Sequence, residues 1–274
     1  MKIISSQDIY GHYFESLNKQ VKGTVIIFGG SDGGLCDKKA KEMSENGYNS
    51  VACAYFKQKN LQQNLINIDL KFFAKLLALL KEEEMYVKPL VVIGSSKGAE
   101  LVLLLSTYYE EIDKIVLYTP SSYHWQNPNG MIKAPTFTYG NKNIPYVRFK
   151  IFNKVGFEFL RQMIGKKPVV LRKLYTNSIM KSKNLENSRI KVENFKGSIC
   201  LFAGDDDQMW PSDRMIKTIV KYHPNNIIYK VYEQVGHIIG GSSSSKQFVF
   251  GGIDELNKQA EIDSDNILYE FLDS

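Results

Sequence analysis

Only three cysteines occur in 274 residues: Cys36, Cys53 and Cys200. Their odd number and unpaired spacing exclude a disulfide framework and a cysteine-based zinc motif. Cys53 and Cys200 sit in apolar, strand-like runs and read as small buried hydrophobes. No apolar stretch approaches the roughly 20 residues a helix needs to cross a bilayer, so no membrane span is expected. The chain does not open on a basic segment followed by an apolar run. A signal peptide is therefore not expected, and the cytoplasm is the expected compartment. Internal repeats are absent.

What is present is enough for a folded core. Hydrophobic residues make up 43% and charged residues 23%, which excludes disorder. The net charge of +6 favours anionic ligands such as phosphates. It reads as too thinly spread for a nucleic-acid partner.

Strand and helix patterns alternate. Thr24–Phe28, Asn49–Tyr55, Leu90–Ile93, Lys114–Tyr118, Ser198–Ala203 and Asn226–Tyr232 read as strands, several of them continuously apolar. Helices are expected at about 35–46, 61–84, 98–108, 213–222 and 254–271, the second from apolar residues at three- and four-residue steps. Such units imply a mostly parallel central sheet with helices on both faces, an α/β class. One domain is expected over 1–274, with 121–196 as a lid or insertion, because that segment loses the alternation.

The run Gly94-Ser95-Ser96-Lys97-Gly98 follows a strand and opens a helix. G-x-S-x-G in that context is a nucleophile elbow, the signature of the α/β-hydrolase fold. Ser96 is the candidate nucleophile. A serine needs a base, and the chain has four histidines. His12 reads as part of a leader, His124 as part of the lid and His223 as the end of a helix. His237, after the last strand, holds the expected chain position. The orienting carboxylate is sought in Gly204-Asp205-Asp206-Asp207, directly after a strand. Asp207 is chosen, with Asp206 as the fallback. For an oxyanion hole, the backbone N–H of Lys97 and that of Gly30 or Ser31 are the candidates. The Gly29–Gly34 loop matches neither G-x-G-x-x-G nor G-x-x-x-x-G-K-[ST]. Lys97 opposes the helix dipole, and Glu100 lies one turn on. The two are expected to form a surface ion pair, or else to support the site electrostatically.

These motifs together resemble the type I acyl-CoA thioesterases and the bile acid-CoA:amino acid N-acyltransferases. The likeness is carried by Gly94–Leu101, Phe28-Gly29-Gly30 with Gly33-Gly34-Leu35, Ile190–Glu193, Gly204–Ser212, Gly236-His237 and Ala260–Leu272. It spans about residues 21–272. The resemblance implies that Ser96, Asp207 and His237 form a triad, and that the substrate is a small acyl thioester or ester. It also implies that no cofactor or metal is needed. Eukaryotic members carry a β-sandwich domain ahead of the catalytic one, whereas here 23 residues precede the strand at Thr24. The transferases carry cysteine at the nucleophile position, so serine favours hydrolysis. A carboxylesterase or peptidase of the same fold, and acyl transfer to an amino acid, are the alternatives. Lys133, Lys142 and Lys166 are expected to be solvated lid charges, or contacts for an anionic leaving group.

Overall fold

The structure is a computed structural model that describes residues 1–128, 132–152, 154–165 and 167–274. In chain order the strands are β1 (Lys2–Ser6), β2 (Ile9–Phe14), β3 (Thr24–Phe28), β4 (Asn49–Ala54), β5 (Ile68–Asp69), β6 (Leu90–Ser95), β7 (Lys114–Tyr118), β8 (Phe137–Tyr139), β9 (Lys142–Asn143), β10 (Ser198–Gly204) and β11 (Ile227–Tyr232). The helices are α1 (Asp37–Glu45), α2 (Phe72–Glu82), α3 (Lys97–Ser106), α4 (Lys154–Ile164), α5 (Arg172–Met180), α6 (Ser212–Tyr222) and α7 (Asp254–Asp273).

Eight strands form one sheet in the order β1-β2-β4-β3-β6-β7-β10-β11. From β4 to β11 every pairing is parallel. The central strands are mostly apolar because both their faces are covered. Ile26 and Phe28 of β3 belong to the layer that holds the apolar residues of α2, α3 and α6, while Val25 and Ile27 belong to the layer of α1 and α7. That period of two, repeated in β6 as Val92 against Val91 and Ile93, separates the interior into two layers.

Two sequence expectations change. The helix expected over 61–84 begins only at Phe72. Asn67 adopts φ 52°, and Ile68–Asp69 pairs in parallel with Phe137–Thr138 in a small sheet ordered β5-β8-β9. Leu65 and Ile68 are buried as the pattern demanded, but outside a helix. His12, expected in a leader, lies instead in a strand of the main sheet. β1 and β2 form an antiparallel hairpin, and β2 pairs with β4 and extends the sheet. His12 lies on β2, with Nδ1 2.9 Å from the Asp37 carboxylate.

Residues 121–196 hold β8, β9, α4, α5 and two short 3-10 turns. Trp125, Val147 and Tyr175 from this segment pack with Trp210 and Met215 in a separate apolar cluster. Lys133 and Lys142 are exposed. Lys166 lies outside the described residues.

The docked hairpin has a measurable consequence. Ile9 is 1% exposed and belongs to the layer of α2 and α3. Ile9→Ala is expected to lower unfolding free energy by about 2–5 kcal/mol in urea denaturation, as for other buried isoleucines. A mobile leader would show no change.

Candidate active site

The candidate nucleophile sits where β6 turns into α3. Ser96 has φ 55° and ψ −118°, a backbone conformation that costs a non-glycine residue of order 1–3 kcal/mol. Its N–H donates to Tyr118 O at 2.9 Å, tying the turn to the end of β7. The turn closes only because its flanks lack side chains. A Cβ on Gly98 would overlap the carbonyl oxygens of Phe28 and Gly29, and one on Gly94 would overlap that of Gly98. Ser96 itself stays half-buried.

His237 follows β11. Its N–H donates to Phe250 O at 2.8 Å, and the Gly236 N–H donates to Asn257 Oδ1 at 2.9 Å, so α7 and the preceding loop fix the backbone. Nε2 lies 2.7 Å from Ser96 Oγ, and Nδ1 lies 2.8 Å from Asp207 Oδ2. With the proton on Nδ1, the ring donates to the carboxylate and accepts from the serine hydroxyl. The three side chains come from residues 30 and 141 positions apart from His237.

The three consecutive aspartates have separate partners. Asp205 Oδ1 accepts from the Gln234 N–H at 2.7 Å. Asp206 accepts from the Gly252 N–H at 2.8 Å and from the Gln208 amide. Asp207 alone reaches His237, so the fallback residue does not meet the ring. Asp207 is fully buried, and it is held by the N–H groups of Met209 and Trp210 and by the Ser212 hydroxyl at 2.6 Å. Four donors to one buried carboxylate satisfy its desolvation.

Gly30 lies directly against the elbow. A Cβ there would stand 3.6 Å from Ser96 Cβ, in ordinary contact. The Tyr55 hydroxyl donates to Gly30 O at 2.9 Å, and Lys57 Nζ to Asp32 O at 2.9 Å, which pins the loop. Ser31 is exposed beside it. Lys97 is the first residue of α3, so its N–H is one of those that a helix's first turn leaves without an i−4 partner.

The expected surface pair of Lys97 and Glu100 is instead wholly buried. Lys97 Nζ lies 2.6 Å from Glu100 Oε2, with side chains 3% and 0% exposed. Glu100 Oε1 accepts from the Trp125 N–H at 3.0 Å. Burial raises the Glu100 pKa, and the Lys97 ammonium opposes that rise. Lys97 also lies 5.6 Å from the centre of the Trp210 ring, which in turn packs edge-on against His237 at 5.4 Å. Helical spacing placed the two charges together. It carried no information that the Trp125 backbone closes over them.

Several contributors escaped sequence reasoning. Ser212, Tyr55 and Trp210 are ordinary residue types with no spacing rule. Trp210 and Ser212 are marked only as part of the Gly204–Ser212 run, without a role of their own. Arg172 donates to Asp207 O at 2.7 Å and pairs with Asp213 at 2.7 Å, bringing α5 onto the acid loop. Thr119 adopts φ 46°, rare for a β-branched residue, and its carbonyl accepts from Trp210 Nε1. Other candidates fall away. His124 is buried, with Nε2 accepting from the Phe137 N–H, and burial lowers its pKa to about 3. Burial pushes the Cys53 and Cys200 thiols up to about 12, away from nucleophilic use. Among the described residues, no three His, Cys, Asp or Glu side chains cluster as metal ligands.

A family described as "BAAT / Acyl-CoA thioester hydrolase C terminal" matches residues 68–241. Acyl-coenzyme A thioesterase 6 of Mus musculus is 27% identical over 229 residues, covering 80% of this chain and 49% of its own. Acyl-coenzyme A amino acid N-acyltransferase 1 of Mus musculus is 32% identical over 91 residues, covering 33% of this chain and 22% of its own. This chain thus spans about half or less of the length of these relatives. Among solved structures, the Pyrococcus furiosus esterase Pf2001 matches 99% of this chain and 90% of its own, with TM-score 0.56 and 15% identity. The Pyrococcus horikoshii acylaminoacyl peptidase matches 98% of this chain and 40% of its own, with TM-score 0.61 and 13% identity. These likenesses establish the α/β-hydrolase fold.

The buried pair gives a clear expectation. Lys97→Met leaves Glu100 without its counter-charge and is expected to cost about 3–5 kcal/mol in urea denaturation. Adding Glu100→Gln keeps an acceptor for the Trp125 N–H and should recover most of that loss. Equal stability of single and double variants would contradict the pairing.

Proposed function

Since the chain belongs to the BAAT / acyl-CoA thioester hydrolase C-terminal family, we propose that it is a serine hydrolase of acyl thioesters, an acyl-CoA being the substrate of first choice. One observation carries the reading: the hydrogen-bonded line from Ser96 Oγ through both nitrogens of His237 to the buried Asp207 carboxylate. An ordinary glycine-rich turn has no use for a strained serine pointed at a histidine.

In the proposed reaction, Ser96 Oγ attacks the thioester carbonyl carbon as its proton passes to His237 Nε2. Asp207 keeps the other proton on Nδ1 and stabilises the imidazolium. The carbonyl oxygen, now negative, accepts hydrogen bonds from the Lys97 N–H and from the N–H of Gly30 or Ser31, and the α3 dipole favours that charge. Collapse expels the thiolate, which takes the proton from His237. Water then attacks the acyl-serine ester with His237 as base, releasing the carboxylic acid and restoring Ser96. A carboxylesterase or peptidase would use the same steps with an alcohol or amine leaving group. The fold likeness to an esterase and an acylaminoacyl peptidase supports including both substrates. Acyl transfer would replace water by an amino acid amine.

The test is hydrolysis of a panel of acyl-CoAs, p-nitrophenyl esters and aminoacyl amides, with thiol, phenol or amine release measured. Ser96→Ala is expected to lower kcat/KM at least about 10⁴-fold. Asp207→Asn should lose roughly 10³-fold or more, and Asp206→Asn should stay within a few-fold of wild type. Full activity of Ser96→Ala would overturn the reading. Amide product on adding glycine or taurine would move it to transfer.

A further inference from the structure

Basic charge is concentrated in one place, contrary to the even spread expected from composition. Residues 148–173 hold eight of the 35 lysines and arginines and one of the 29 acids, Glu158. That tenth of the chain carries about the whole net charge, and the remainder is nearly neutral. Arg148, Lys154, Arg161, Lys167 and Lys173 are exposed.

The same segment carries apolar side chains in water. On α4, Phe157 is 72%, Leu160 43% and Ile164 82% exposed, and Phe152, just before the helix, is 95% exposed. Positions 157, 160 and 164 fall on one stripe of a helix with 3.6 residues per turn. Lys154 and Arg161 fall on the strip beside it. Single exposed hydrophobes are ordinary, but a helical stripe of them bordered by cations is the composition of a helix that lies in a lipid interface. The apolar side enters the acyl boundary and the cations meet anionic headgroups.

We propose that α4 and its basic borders form a docking face for an anionic lipid surface. Charge complementarity decides the occupant. A second copy of the chain would set this cationic segment against itself. A nucleic acid would meet the cations but leave the aliphatic stripe without a partner. An anionic bilayer satisfies both at once. The attachment is peripheral, since no helix among the described residues is long and apolar enough to cross a membrane. Eight positions beyond the end of α4, Arg172 holds the carbonyl of Asp207, so the docked segment runs directly into the acid loop. The proposal goes beyond the hydrolase reading and does not depend on it.

Sedimentation with sucrose-loaded vesicles tests it. The whole protein is expected to bind vesicles of equal parts phosphatidylcholine and phosphatidylglycerol, and to bind pure phosphatidylcholine at least tenfold more weakly. Raising salt from about 0.1 M to about 0.5 M should release it. Phe157→Ser with Ile164→Ser, and separately Lys154→Glu with Arg161→Glu, should each reduce binding at least tenfold. Hydrolysis of p-nitrophenyl acetate and the unfolding midpoint should stay unchanged in both. Ser96→Ala should bind vesicles as wild type does, so a failed hydrolase reading leaves this result standing. Absence of wild-type binding to the anionic vesicles would overturn the proposal, as would full binding by either double variant. A dimer that the Phe157→Ser, Ile164→Ser variant dissociates, without vesicle binding, would assign the face to a second copy instead.

Discussion

The close approach of α3 to β3 is the constraint on which the site depends. Gly94 and Gly98 leave no room for a Cβ between the elbow and the carbonyls of Phe28, Gly29 and Gly98. That closeness forces Ser96 into its left-handed conformation and sets it at the C-terminal edge of the parallel sheet. It also sets the α3 N-terminus beside the Gly30 loop. The strain at Ser96 is held by its N–H bond to Tyr118 and by the interior on both faces of β6. Parallel strands bring the loops after β3, β6, β7 and β10 to one edge, and each contributes a side chain or backbone group there.

Around that edge, polar groups are buried only with partners. Asp207 has four donors counting His237, Glu100 has Lys97 and the Trp125 N–H, and the carbonyl of Asp207 has Arg172. Trp210 stands at the junction. Its ring touches His237, Lys97 and Tyr175, and its Nε1 holds the strained Thr119. Through Tyr175 against Trp210 and the Trp125 N–H on Glu100, residues of the 121–196 segment thereby pack around the site. The same segment carries the exposed α4 stripe, within the stretch that holds the net basic charge of the chain.

Legibility followed burial. Strands buried on both faces, such as Thr24–Phe28 and Leu90–Ile93, announce themselves by continuous apolar runs. β2 was hidden because Gly11 and His12 interrupt its alternation and β1 is mostly exposed. The start of α2 was hidden because Leu65 and Ile68 keep a helical step while Asn67 breaks the backbone between them. The pairing of Lys97 with Glu100 was visible from spacing. Its burial was not, since the Trp125 N–H that closes over it lies 25 positions away.

By itself the sequence determined the α/β alternation, the elbow at Ser96, and the order serine, aspartate, histidine along the chain. Those depend on local periodicity, turn chemistry and composition, all of which act over a few residues. Only the tertiary structure decided which of Asp205, Asp206 and Asp207 faces the histidine, because the choice depends on the competing N–H groups of Gln234 and Gly252. The same holds for the burial of the Lys97–Glu100 pair and for which side of α4 is left in water. Each of these is a contact between distant segments, and no local pattern encodes what a distant segment will cover.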